Sequence, residues 1–152
     1  MSSSTHLQLS ALLARDAMRR RLVVCAGAMG VREAAAEMTR QGVRCLLIER
    51  PLRGAGTDGP GWAVVTDEDL LAAVVDVAGP ERLVRAIGRP LVVVDADDDL
   101  AAVGAGLLRA GTSHALVTEH DEPVGLVTAA DVLAALGGTH VAELDVRSRC
   151  AA

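Results

Sequence analysis

The sequence has no phenylalanine, no tyrosine and no lysine, and a single tryptophan, Trp62. Without large rings the interior must be filled by Ala, Val, Leu and Gly, so helices and strands have to approach closely to exclude voids. All fifteen basic residues are Arg, a usage that points to codon bias rather than mechanism. The three cysteines (Cys25, Cys45, Cys150) are scattered, odd in number and lack C-x-x-C spacing, the pattern of reduced thiols in a cytoplasmic protein. The formal net charge is −5 and the one basic run is Arg19-Arg20-Arg21, so the basic face that nucleic-acid binding needs is missing. No apolar stretch nears the roughly 18 residues of a membrane span. The segment Met1 to His6 lacks the charged-then-apolar order of a signal peptide. A cytoplasmic protein with neither nucleic acid nor membrane as partner is expected.

What is present is a globular composition, 51% apolar over 152 residues, enough for one core or for two small repeats sharing one. Helical spacing is found over His6–Met18, Val31–Met38, Thr66 to about Val75, Glu81–Ile87, Leu100–Leu108 and Thr128 to about Leu136. Gly42 and Gly111 stand where helix C-terminal glycines belong. Short β-branched runs predict strands at Leu22–Cys25, Cys45–Glu49, Trp62–Val65, Leu91–Val94, Ala115–Val117 and Val124–Val127. Pro51 to Gly61 reads as a loop, Asp95–Asp99 and His120–Pro123 as turns, and Gly79-Pro80 as a break.

The second half repeats the first. At an offset of 69, Ala17/Ala86, Arg20/Arg89, Val23/Val92, Val24/Val93, Arg40/Arg109, Gly42/Gly111 and Leu47/Leu116 are identical. At an offset of 62, Val65/Val127, Thr66/Thr128, Asp69/Asp131, Leu71/Leu133 and Ala72/Ala134 are identical. One seven-residue length difference in the glycine-rich hairpin reconciles the two. Each half is an α/β repeat of order β-α-β-β-α behind a short helix. The expected division is a tail over 1–11, repeat 1 over 12–78, repeat 2 over 79–138 and a tail over 139–152. A half with a three-stranded sheet is marginal alone. The two halves are therefore expected to bury their sheets on each other about a pseudo-twofold, with a cleft at each Thr-x-x-Asp corner.

Those corners, Thr66/Asp69 and Thr128/Asp131, have two readings. Thr-x-x-Asp before an apolar run is a capping box, in which hydroxyl and carboxylate satisfy helix-start N–H groups. The same helix start can hold an anion, with the Thr hydroxyl donating to it and the Asp accepting from a ribose diol.

The chain resembles a tandem CBS-domain pair, or Bateman module. The residues that carry the resemblance are Cys45-Leu-Leu-Ile-Glu49 with Ala63-Val-Val-Thr-Asp-Glu-Asp-Leu70, and His114-Ala-Leu-Val-Thr118 with Gly125-Leu-Val-Thr-Ala-Ala-Asp-Val132, together with Arg15-Asp16-Ala17-Met18 upstream. It covers about residues 12 to 137. It implies two pseudo-symmetric repeats in one module that senses an adenosyl ligand and does no catalysis. Thr66, Asp69, Thr128 and Asp131 would contact phosphate and ribose. Val24 and Val93 would line the adenine slot by backbone, and Arg44 (or Cys45) and His114 would lie near phosphates. Candidate ligands are AMP, ADP, ATP and S-adenosylmethionine, with no resident cofactor, and paired modules commonly form a dimer. The sequence departs from the family at Asp67-Glu68 and Ala129-Ala130, which stand where a basic residue is common, and at Ala63, which stands where glycine is usual. The second corner follows the pattern more closely and is the better candidate.

Other constellations are weaker. Cys45 and His114 occupy equivalent positions, but two ligands do not make a zinc site. Asp95, Asp97, Asp98 and Asp99 suit a solvated turn that caps the next helix. No Ser or Cys has a His/Asp partner set for nucleophilic catalysis. The expected function is a stand-alone CBS pair that binds an adenosyl ligand and signals to a protein in trans or through its own oligomeric state. The alternative is a ligand-free dimerising interaction module. Because Asp67, Glu68 and Asp69 crowd the first corner, a monophosphate or phosphate-free ligand is expected to bind better than ATP. Like charges about 4 Å apart cost on the order of 4 kcal/mol at an effective dielectric of 20.

Overall fold

The computed structural model describes residues 2–50, 61–76, 79, 82 and 84–137. Of the loop expected over Pro51–Gly61, residues 51–60 lie outside the described residues and Gly61 opens a strand; the tail expected over 139–152 lies outside them too. The elements in chain order are α1 (Ser2–Ser10), α2 (Ala14–Ala17), β1 (Val24–Cys25), α3 (Val31–Gln41), β2 (Cys45–Arg50), β3 (Gly61–Thr66), α4 (Asp67–Val75), α5 (Val84–Ile87), β4 (Arg89–Pro90), β5 (Val92–Asp95), α6 (Leu100–Ala110), β6 (His114–Glu119), β7 (Glu122–Thr128) and α7 (Ala129–Gly137). They form two compact units, one of residues 20–92 and one of residues 1–19 with 93–152. The β-α-β-β-α order expected for each repeat is observed in both. The short helix that leads each repeat packs in the unit built on the other repeat.

In the unit of residues 20–92 the sheet order is β1-β2-β3-β4. β1 runs parallel to β2, and β2 pairs antiparallel with β3 from Cys45↔Thr66 to Arg50↔Gly61. Leu46, Leu47 and Ile48 are all buried, so β2 reads as a continuous apolar run rather than an alternating one. α3 spends its stripe on this core, with Val31, Ala34 and Met38 buried. It ends on Gly42 at φ 65°, whose N–H returns to Met38 and Thr39 carbonyls; only glycine adopts that left-handed conformation without cost. α4 divides its apolar residues. Leu70 and Ala73 are buried, while Leu71, Val74 and Val75 are exposed.

In the other unit the sheet order is β5-β6-β7, with α6 starting on Asp99, whose carboxylate accepts from Ala102 N–H at 2.8 Å. Asp99→Ala removes this N-cap and is expected to cost about 1 kcal/mol; urea denaturation showing less than about 0.3 kcal/mol would refute that role. The β6–β7 hairpin turns on His120 and Asp121, both at positive φ. His and Asp are among the few non-glycine residues that tolerate that region.

One expected element divides and one strand is added. The helix over His6–Met18 is interrupted at Leu13, which is extended and bridged to Asp99. Leu12 C=O and Asp98 C=O, one accepting from Leu100 N–H and the other from Ala14 N–H, pull the chain off a helical path. The strand expected over Leu91–Val94 is found as Val92–Asp95, which joins β6, and a short strand that periodicity did not predict, Arg89–Pro90, precedes it and joins β3.

The repeat also has a different register in its leading segment. Arg89 pairs with Val64 and Arg19 with Leu126. Leu100 N–H bonds Leu12 C=O just as Val31 N–H bonds Arg82 C=O. Residues 12–19 thus match 82–89 with one residue more than the offset of 69, and Arg89 corresponds to Arg19, not Arg20. The extra residue is absorbed before β1.

Candidate functional site

Each unit carries the same corner. Thr66 caps α4, and its hydroxyl accepts from Asp69 N–H at 3.2 Å. Asp69 Oδ2 accepts from Thr66 N–H and Oγ1 at 2.9 Å each. At the second corner Thr128 and Asp131 repeat these three contacts at the same distances. The residue before the inner strand fixes the approach in both, with Arg44 C=O accepting from Asp67 N–H and Ser113 C=O from Ala129 N–H. Register places Cys45 opposite Thr66 and His114 opposite Thr128. His114 Nδ1 lies 3.0 Å from Ser113 Oγ.

The capping reading therefore holds at both corners, and it leaves the other carboxylate oxygen for a different partner. Arg89 donates to Asp69 Oδ1 at 3.0 Å, and Arg19 to Asp131 Oδ1 at 3.0 Å. Arg44, a candidate phosphate contact, instead pairs with Asp67 at 2.8 Å, and this contact holds its guanidinium further into the protonated range. The carboxylates that crowd the first corner are partly opposed by arginines from outside the motif. Three of them (Asp67, Glu68, Asp69) meet two guanidiniums brought from outside the motif, while Asp131 meets one. Sequence inspection missed Arg19 and Arg89 because of the register. Aligning Arg15 with Arg85 shows the same R-x-x-x-R spacing ending on Arg19 and Arg89.

The corners differ at the second helical residue. Glu68 N–H bonds Asp67 Oδ1 at 3.0 Å, so the first helix start satisfies its own donors. Ala129 stands in place of Asp67 and offers no acceptor to Ala130 N–H. Thr66 is buried, whereas Thr128 is partly open. The second corner is thus the one with a donor to spend on an anion.

Val24 and Val93 sit on the outer strand of their sheets, 51% and 54% exposed. Val23 C=O accepts from Leu47 N–H, and Val94 C=O accepts from Thr118 Oγ1 while Ala96 N–H bonds Thr118 C=O. Alternation along a strand then turns the N–H and C=O of Val24 and of Val93 away from the sheet. From Val24 to Thr66 the path is two strand spacings and two residue rises, about 12 Å, the length scale of a nucleoside.

Other candidates do less. Asp69 also borders a groove of about 370 Å³ shared with Ala72, Ala73, Asp76, Arg82 and Ile87. It offers two carboxylates and one guanidinium but no flat apolar wall for a base. Burial pushes the Cys25 thiol up, leaving it protonated and a poor nucleophile. Arg15 ties α2 to the neighbouring turn after β5 and to β6, reaching Asp97 and Glu119, each at 3.1 Å. Asp97 and Asp98 take part in the turn itself, Asp97 N–H bonding Asp95 and Asp98 accepting from Asp95 N–H. No described helix is long and apolar enough to cross a membrane.

The family model for the CBS domain matches residues 84–138. No curated protein matches the chain. Among solved structures, the CBS domain of a bacterial CNNM/CorC family Mg2+ transporter in complex with ATP is 20% identical over 91% of this chain and 96% of that one, at a TM-score of 0.72. A CBS domain pair in complex with 5′-methylthioadenosine and S-adenosyl-L-methionine is 18% identical over 84% and 97%, at 0.65. A CBS domain protein from Pyrobaculum aerophilum complexed with AMP is 21% identical over 84% and 100%, at 0.63. Residues 84–138 match the CBS domain model, and the chain has the two-repeat fold of the CBS-domain pairs it resembles.

Proposed function

We propose that the chain is a regulatory module that binds an adenosyl ligand, AMP-like or S-adenosylmethionine-like, at its Thr-x-x-Asp corners and passes ligand state to a protein in trans or to its own assembly. The observation that carries this is the pairing, in both units, of an outer-strand Val whose backbone faces away from the sheet with a Thr-x-x-Asp carboxylate corner. Backbone N–H and C=O side by side suit the donor–acceptor edge of adenine, and the ligands in the three similar structures are all adenosyl compounds. The second corner fills first, through Thr128, Asp131, Val93, His114 and the Ala130 N–H. The first uses Thr66, Asp69, Val24 and Arg44 less readily. Calorimetric titration of AMP, ADP, ATP and S-adenosylmethionine tests it; no heat and no thermal shift with any of the four would reject it, since a ligand at 100 times its Kd adds about 2.7 kcal/mol to stability.

Phosphate count follows from the charges. The first corner carries one uncompensated carboxylate and the second none, so at the first corner AMP is expected to bind more tightly than magnesium-free ATP, by severalfold. Calorimetry with ATP the tighter of the two would contradict this.

Self-association rests on α4. Leu71, Val74 and Val75 are 64%, 49% and 78% exposed and form an i, i+3, i+4 stripe, which suits an isologous contact with a second copy. A dimer is expected at tens of micromolar, and Leu71→Glu with Val75→Glu is expected to give a monomer. Sedimentation showing a monomeric parent, or a dimer that survives both changes, would refute the interface. The same stripe favours the second reading, a ligand-free interaction module, should the titrations be silent.

A further inference from the structure

Each corner carboxylate is held by two kinds of donor, only one of which belongs to the corner. Oδ2 of Asp69 and of Asp131 accepts twice from its own threonine. Oδ1 accepts from a guanidinium delivered by the leading segment, Arg89 from β4 and Arg19 from the residue after α2 and Met18. A carboxylate has about four acceptor sites, so one remains. A vicinal diol brings two donors and needs two.

We propose that Arg19 and Arg89 are latches: the guanidinium and a ribose diol compete for the same carboxylate oxygen, so binding at a corner releases the leading segment that carries the arginine. This rests on the adenosyl reading above and adds the route by which occupancy is transmitted. The carboxylates are 12% and 15% exposed, whereas the arginines are 69% and 57% exposed. The arginine is therefore the partner that can leave into water at little cost. The segment it holds is lightly fastened. β4 is two residues long, and the next bond outward, Leu91 N–H to Trp62 C=O, is 3.2 Å. Arg19 is joined to β7 by a single bridge with Leu126, bonded in both directions at 2.9 Å. In the unit of residues 20–92 the released segment is also the connection between the repeats, so a ligand there alters the link between them.

The test uses the full chain and its Arg19→Met and Arg89→Met variants, in which the aliphatic stem stays and the donors are lost. Adenosine is the probe, because it carries the diol and no phosphate for the arginine to attract. The variants should bind adenosine at least threefold more tightly than the parent. For 2′-deoxyadenosine, whose single hydroxyl fits the remaining acceptor site, affinity should change less than twofold. Hydrogen exchange at Leu91 should quicken in Arg89→Met, and at Arg19 and Leu126 in the parent saturated with adenosine. Equal or weaker adenosine binding in the variants would overturn the latch and leave the adenosyl reading standing. Exchange unchanged by either variant or ligand would overturn the release. Absence of binding by adenosine, AMP and S-adenosylmethionine in parent and variants alike would overturn both.

Discussion

Asp131→Asn is expected to weaken AMP binding tenfold or more while leaving the melting temperature nearly unchanged. Asn keeps a carbonyl oxygen that can accept from Thr128 N–H and Oγ1, the two bonds now made by Asp131 Oδ2 at 2.9 Å. The helix start therefore remains capped. What disappears is the charge. Arg19 loses its partner, but it is 69% exposed, and ion pairs of that kind contribute about 0–1 kcal/mol. The diol loses charge-assisted hydrogen bonds, about 1.5–3 kcal/mol, which corresponds to tenfold or more in Kd. Freeing the corner from Arg19 offsets part of this but cannot restore an anionic acceptor. Asp131→Ala should lower stability as well, by roughly 0.5–2 kcal/mol, because the cap goes too. Asp69→Asn should affect binding less, since Glu68 N–H is already satisfied by Asp67 at 3.0 Å and Thr66 is buried. Calorimetry and thermal melts on the three variants decide it. Equal, negligible effects at both corners would make the second corner a capped helix only, and the interaction module would become the better reading.

The corners were legible in the sequence because local chemistry specifies them. Thr-x-x-Asp at a strand-to-helix junction can fold almost one way, and the structure reproduces both copies to the same distances. Gly42 and Gly111 were legible for the same reason, both ending helices in the left-handed region at φ 65° and 62°. The arginines were not, because nothing local places them. Arg19 reaches Asp131 across 112 positions and Arg89 reaches Asp69 across 20, and their equivalence is hidden by one inserted residue before β1. The offset of 69 aligns Arg89 with Arg20, an identity that has no counterpart in the pairing of the strands. The break at Leu13 was likewise invisible to periodicity, since Leu9, Leu12 and Leu13 keep helical spacing while bonds to Leu100 and Asp98 decide the backbone. Fold class is a sum of short-range signals; the contents of a site are set by which distant segments arrive.

Replacing Gly125 by Ala is expected to destabilise the fold by about 1–3 kcal/mol, and Met18→Ala is expected to recover most of that loss. A Cβ at Gly125 would lie 2.5 Å from Met18 Sδ, 2.8 Å from its Cγ and 3.0 Å from its Cβ. Sulfur and Cγ of a methionine can swing aside by side-chain rotation, but Cβ moves only if α2 and the residues after it move, and overpacking of this kind costs about 1–3 kcal/mol. The other unit shows the reciprocal solution. There the strand position holds Ala63, and the leading-segment position equivalent to Met18 holds Gly88, whose own Cβ would meet Ala63 at 3.5 Å. The glycine sits on the strand in one unit and on the leading segment in the other, which explains the alanine where the family pattern has glycine. Because Arg19 follows Met18 directly and bridges Leu126, the residue after Gly125, the strain should also reach the second corner. Urea denaturation of both single variants and the double measures the coupling. A favourable interaction of at least 1 kcal/mol is expected, whereas additivity within about 0.3–0.5 kcal/mol would show that Met18 makes room without disturbing its backbone.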